Sequence, residues 1–166
     1  MTPSPGPAGV DSALFRQLLG RFATGVTILT TTAADGAPIG MTASSVASVS
    51  LEPPLVLVSV DRQNEMHGAL GAAPHFALNI LAADQEALSR RFAEEEERRF
   101  EGVAYHPSRL GLPLIDGALA YVECARRQVV PAGDHTVFFG LVVHGSVTDR
   151  RPLLYYRGGY AGLDGR

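Results

Sequence analysis

A chain of 166 residues, 46% of them hydrophobic, is long enough to bury one core and short for two domains. Its formal charge of −3 leaves no broad basic surface for a phosphate backbone, which excludes nucleic acid as an expected partner. No run of about 18 apolar residues exists to span a membrane as a helix, and "MTPSPGPAGV" has neither the positive start nor the apolar stretch of a signal peptide, so a cytoplasmic protein is expected.

Residues 1–10, with three prolines and two glycines, read as a disordered tail, leaving 11–166 as a single domain. From Asp11, "DSALFRQLLGRFATG" sets Leu14, Phe15, Leu18, Leu19 and Phe22 on one helical face, with Asp11 or Ser12 as N-cap and Gly25 as the stop. The β-branched run Val26 to Thr32 leads into Asp35-Gly36, a hairpin signal, and a strand from Ile39 to Ser44 should pair with it. Pro53-Pro54 blocks a helix, and Leu55 to Val60 reads as a buried strand. His75 to Leu81 reads as another strand. The following segment from Asp84, the expected cap, reads as a helix with Leu88 and Phe92 four apart and with Glu94/Arg98 and Glu95/Arg99 on a solvated face. Two long runs around "PAGDH" predict a second hairpin, and "PLLYYRGGYAGL" a closing strand. Six or seven strands with two or three helices, joined mostly by turns, favour an antiparallel barrel with helices outside over a doubly wound sheet.

Common catalytic signatures are absent from the sequence. The five histidines have no HExxH or HxxxH spacing, and Cys124 has no CxxC partner, so no metal site is expected; the thiol reads as a small core residue. Nor is there a GxSxG elbow, a phosphate loop or a GxGxxG turn, so any nucleotide would bind without a Rossmann domain. What stands out is "APIGMTASSVASVSLEPPLVLVSV", residues 37–60, where small residues and hydroxyls separate two apolar runs. Clustered backbone N–H groups and short hydroxyls from Thr42 to Ser50 suit an anion cradle; a strand packed closely on a neighbour needs the same residues. Spacing leaves both readings open.

The same stretch, followed in order by "LSRRFA", "FEGVAYHPSRLGLPLIDGALAYVEC" and "GDHTVFFGLVV", resembles the short-chain flavin reductase family, the reductase components of two-component flavin-dependent monooxygenases. The resemblance runs from about Phe15 to Tyr160. It implies a mainly β fold, an FMN-binding split β-barrel with Greek-key topology and flanking helices. It also implies a homodimer that uses NADH or NADPH to reduce FMN or FAD and releases the flavin to a partner monooxygenase. Two alternatives remain: a related split barrel that keeps its flavin as an oxidase or reductase of a small substrate, and a flavin- or haem-binding module without turnover.

Carried over by position, the resemblance places Met41, Thr42, Ala43, Ser44 and Ser45 against the flavin ring edge and ribityl chain, with Ser50 close by. The loop "DRQNEMH" corresponds to the segment that holds the flavin phosphate, through Arg62 and Asn64; Gln63 to Glu65 depart from the serine or threonine usual there. Arg91 and Phe92 are expected to line the flavin, Arg90 replacing Arg91 if the helix is rotated and Phe92 being equally readable as core. Gly133, Asp134 and His135 mark the nicotinamide side, with His135 as the candidate catalytic residue, a hydrogen-bond donor rather than a base because hydride transfers directly between the two rings. Tyr156, Arg157 and Tyr160 are expected to approach the cofactor, where an aromatic ring with an arginine suits a ring face or a pyrophosphate; sealing the barrel end is the structural alternative.

Overall fold

The computed structural model describes residues 9–94 and 99–163. The chain opens with helix α1 (Ser12–Leu19), capped by Asp11, whose carboxylate accepts from the Leu14 amide at 2.8 Å. The helix stops at Gly20 and not at Gly25, because Thr24–Gly25 form a short strand, β1, paired with the C-terminal segment. The apolar side chains of α1 are all exposed, and the helix buries no residue.

Strands β2 (Thr27–Thr32) and β3 (Pro38–Ala43) form the expected hairpin. Its turn is set by Gly36 at φ 84° and by Asp35, whose carboxylate accepts from the Ala37 amide at 3.0 Å. The Ser/Thr-rich segment continues as strand β4 (Val46–Leu51), antiparallel to β5 (Pro54–Asp61) with a bulge between Ser48 and Ser50. Helix α2 (Glu65–Ala72) follows where a loop was expected, capped by Asn64 and anchored by the fully buried Met66 and Leu70.

Strand β6 (His75–Ile80) leads to helix α3 (Glu86–Ala93), whose N-cap is Gln85. Asp84, the expected cap, instead pairs with Arg150 at 2.5 Å. Glu95 and Arg98 lie outside the described residues, while Arg99 donates to the backbone carbonyls of Glu94 (2.8 Å) and Gly40 (3.0 Å). The short pair β7 (Tyr105–Pro107) and β8 (Pro113–Ile115) precedes the long hairpin of β9 (Ala120–Ala132) and β10 (His135–Val147). The single closing strand expected at the end is two, β11 (Leu154–Tyr156) and β12 (Gly159–Ala161), which join β1 in a three-stranded sheet.

The main sheet is antiparallel and seven-stranded, in the order β3-β2-β6-β9-β10-β5-β4. One face holds Leu29, Val58, Val60, Phe76, Leu78 and Phe138 with the two anchors of α2. A second cluster, Val26, Ile28, Leu81, Phe92, Ile115 and Leu153, lies under α3. Burial of each such side chain contributes about 1.5–3 kcal/mol. The first cluster leaves no room at Gly140, where a Cβ would lie 2.6 Å from the Phe76 ring and 2.7 Å from Cys124 Cβ. Burial pushes the Cys124 thiol up to about 12, so it packs as an apolar group and is not a nucleophile.

Candidate functional site

The segment from Thr42 to Ser45 passes from β3 to β4 and is fastened on three sides. Thr42 Oγ1 donates to the Ser89 carbonyl of α3 at 2.6 Å. Thr27 Oγ1 on β2 donates to the Ala43 carbonyl at 2.7 Å. Ser45 Oγ donates to the Ser59 carbonyl on β5 at 2.8 Å, and the Ser59 amide returns a bond to Ser45 at 3.1 Å. Thr42 and Ser45 have each given their hydroxyl proton to a carbonyl, so toward a ligand those oxygens accept only. Ser44 is exposed, and its hydroxyl has no protein partner among the described residues. Met41 is half-buried against the first core cluster and Ala43 is buried. Ser50 sits five residues along β4 from Ser45, about 16 Å away at strand rise, so one chain does not bring it to the cradle.

Helix α3 and the C-terminal strands close one side. Ser89 Oγ lies 2.8 Å from the Tyr160 hydroxyl, and the Arg90 guanidinium stands 4.8 Å over the Tyr160 ring. Glu86 holds Arg90 through Nε and Nη2 at 2.9 and 2.7 Å, and that carboxylate raises the already high guanidinium pKa. Of the two arginines it is therefore Arg90 that meets the aromatic ring. Arg91 turns toward the Glu101 carbonyl at 2.5 Å. Phe92 is 1% exposed, with its ring edge-on to Phe100 at 5.0 Å and against Gly40, so it is core in this structure and offers no face to a ligand. Tyr155 packs edge-on to Tyr160 at 5.4 Å, and Tyr156 is exposed on the same hairpin. Between this hairpin and α1 lies a cleft of about 400 Å³ walled by Phe15, Leu19, Phe22, Tyr155 and Arg157, with Ser44 at its edge.

The third group gathers where β5 meets β10. His135 is paired with Asp61, two residues and about 7 Å along β5 from the strand position that holds Ser45. His135 Nδ1 lies 2.7 Å from Asp134 Oδ1, and this hydrogen bond holds the Asp134 carboxyl below its ordinary value. Gly133 turns the hairpin at φ 64°; its carbonyl accepts from the Arg62 guanidinium, and the Asp134 carbonyl accepts from the Arg62 amide at 3.1 Å. Asn64 Oδ1 accepts from the Met66 amide at 2.9 Å, which leaves both N–H bonds of its side-chain amide and one lone pair of the oxygen for a ligand.

The fold thus brings Ser44 and Arg157 to one cleft, while Thr42 and Ser45 flank Ser44 in the chain with their hydroxyls bonded to α3 and β5, and Tyr160 packs against the cleft's Tyr155. The fold sets Arg62, Asn64 and Gly133 to His135 further along β5, and sends Phe92, Arg91 and Ser50 elsewhere. Ser89 and Tyr155 were missed as contacts, although Ser89 lies inside the quoted "LSRRFA" and Tyr155 adjoins Tyr156.

Residues 19–164 match the flavin reductase like domain family. The chain is 44% identical over 154 residues to the FMN reductase (NADH) SmoA of Agrobacterium fabrum, covering 93% of this chain and 87% of that one. It is 41% identical over 160 residues to the reductase subunit HsaB of a flavin-dependent monooxygenase from Mycobacterium tuberculosis, covering 95% and 85%. Among solved structures, the NADH:FAD oxidoreductase SgcE6 of Streptomyces globisporus, in complex with NAD and FAD fragments, superposes with a TM-score of 0.87 at 39% identity, covering 93% of this chain and 96% of that one. The seven-stranded sheet with its flanking helices is the split barrel of these reductases. With the fold, the ordered motifs and nearly the full length in agreement, the chain belongs to the flavin reductase like domain family.

Proposed function

We propose that this chain is an NAD(P)H:flavin oxidoreductase that reduces FMN or FAD and releases the reduced flavin to a separate monooxygenase. The observation that carries the reading is the cradle from Thr42 to Ser45. It is fixed by three side-chain hydrogen bonds, while Ser44 keeps its hydroxyl free at the edge of an aromatic cleft. The donor set suits a flavin nucleotide. Phe22 and Tyr155 offer ring faces, Ser44 a donor for a polyhydroxyl chain, and Arg157 a cation.

When bound, the flavin supplies a ring that takes a hydride directly from a dihydronicotinamide, so no side chain has to abstract a carbon-bound proton. The protein's part is orientation, exclusion of water and donors placed where negative charge develops. Ser44 and the backbone of the cradle serve the flavin side, and His135, aligned by Asp134, serves the nicotinamide side. Crossing FMN and FAD with NADH and NADPH in a steady-state assay tests the reading. Oxidation of at least one nucleotide that depends on added flavin is expected, with NADH the favoured donor; oxidation of neither overturns it.

The reading includes a homodimer in the cytoplasm. Five large apolar side chains of the α1 region, Leu14, Phe15, Leu18, Leu19 and Phe22, are 43–72% exposed, and three of them wall the cleft beside Ser44. A second copy that covers this face would shield the cleft from water. Phe15→Glu combined with Leu18→Glu is expected to halve the mass seen by light scattering, from twice 17.6 kDa to 17.6 kDa. Wild-type protein running as a monomer contradicts the dimer.

A further inference from the structure

Three arginines converge on one cleft in a protein whose overall charge is negative. Arg16 comes from α1, Arg21 from the turn after it and Arg157 from the tip of the β11–β12 hairpin; they line a cleft of about 320 Å³ with Gln17, Gly20 and Gly158. None of the lining residues is acidic, and none of the three guanidiniums has a protein partner among the described residues. The two parent segments are tied together by the Arg157 amide, which donates to the Gly20 carbonyl at 2.9 Å. The carboxyl end of α1 also faces this region, but its dipole amounts to about half a negative charge against three full positive ones.

Arg157 carries a second, independent signal. It occupies a two-residue hairpin turn between Tyr156 and Gly159, with φ 52° at Arg157 and φ 79° at Gly158. Positive φ at both central positions is the type I′ arrangement, which favours Asn-Gly and disfavours a long side chain at the first position. A non-glycine residue held there costs about 1 kcal/mol or more, a strain that collects at ligand sites. The position gains nothing structural from a guanidinium that bonds to no protein group among the described residues.

We propose that Arg16, Arg21 and Arg157 form a binding site for the pyrophosphate of a dinucleotide substrate. The cleft shares Arg16, Gly20, Arg157 and Gly158 with the aromatic cleft beside Ser44, so the two are continuous. A dinucleotide with its reactive ring near Ser44 has its phosphates within the arginine cluster. Guanidinium groups suit this task because each presents paired N–H donors to phosphate oxygens. The inference rests on the flavin reductase reading for the ligand's identity. Both FAD and NAD(P)H carry a pyrophosphate.

Calorimetric titration of the full chain with inorganic pyrophosphate tests the site without turnover. Wild-type protein is expected to bind it, more weakly as salt rises, and Arg16→Gln with Arg21→Gln to weaken binding at least about tenfold. Arg157→Asn separates ligand from scaffold: the turn chemistry improves, so the melting temperature holds or rises, while pyrophosphate affinity falls. Arg16→Lys with Arg21→Lys recovers part of the affinity by restoring charge without the fork. Kinetics then assign the source. A KM rise confined to FAD, with riboflavin unaffected, places the flavin dinucleotide there; a rise confined to NADH, with reduced nicotinamide riboside unaffected, places the nicotinamide dinucleotide. No pyrophosphate binding by the wild type, or variants that shift phosphate-free and phosphate-bearing substrates equally, overturns the site. Wild-type reduction of riboflavin in the same assay shows that such a failure belongs to the anion site and not to the reductase reading.

Discussion

His135→Ala will lower kcat/KM for the nicotinamide nucleotide by roughly 10- to 100-fold, the loss of one well-placed hydrogen bond in the transition state. The imidazole begins β10 directly opposite Asp61, and Asp134 fixes its Nδ1 at 2.7 Å, so Nε2 is the atom left to meet a substrate. The ring is half-exposed and outside both core clusters, so flavin affinity should stay within about twofold and stability within about 0.5 kcal/mol. Asp134→Asn keeps an acceptor oxygen and removes the charge, and its effect should be smaller. The sign of the pH dependence follows from the depressed Asp134 carboxyl. Its pairing with His135 is present above the ordinary carboxylate range and is lost as pH falls through the lowered folded value, so the aspartate side of the pair stays intact across neutral pH. Kinetics in which His135→Ala changes only the flavin KM contradict the nicotinamide assignment.

Asn79→Ala is expected to destabilise the fold by about 3–5 kcal/mol, a third or more of the stability of a typical domain. The side chain is fully buried on β6 and bridges three segments. Its Nδ2 donates to the Ile28 carbonyl (2.9 Å) and to Thr30 Oγ1 (3.0 Å), while Oδ1 accepts from the Ile115 amide (2.8 Å). Truncation strands a carbonyl on β2 and an amide on β8 away from water and opens a cavity. Asn79→Asp retains the acceptor for Ile115 but sets a second oxygen against the Ile28 carbonyl, and its loss should be at least as large. Urea unfolding at constant m measures both; a loss below about 1 kcal/mol refutes the bridge.

The hairpins were legible because turn chemistry is local. Asp35-Gly36 and Gly133-Asp134 each announce a reversal within two residues, and both hairpins form. Helix α2 was not legible: "EMHGALGA" carries two glycines and buries only two side chains, so its apolar period is faint, although the Asn64 cap was there to be read. The amphipathic pattern of α1 was visible, but a sequence pattern marks an apolar face without saying whether the chain's own core or another copy covers it.

The site divides along the same line. For Thr42 and Ser45 the structure shows the packing reading, hydroxyls that tie the strand end to α3 and β5 by bonding carbonyls, and the proposed cradle is built on those same bonds. The choice between Arg90 and Arg91 depends on helix phase by a single residue, and Tyr160 over the Arg90 guanidinium settles which faces the aromatic hairpin. Phe92 is fixed by Phe100 and Gly40, and Ser89 by Tyr160 across 71 positions; contacts of that range leave no periodic trace.

The most direct test of a reductase that serves a separate oxygenase is an anaerobic mixture of the protein with a large molar excess of FMN or FAD and a larger excess of NADH. The whole flavin pool is expected to bleach over many turnovers, and flavin to separate from the protein on gel filtration. Bleaching that stops at one flavin per chain, or none at all, would contradict it.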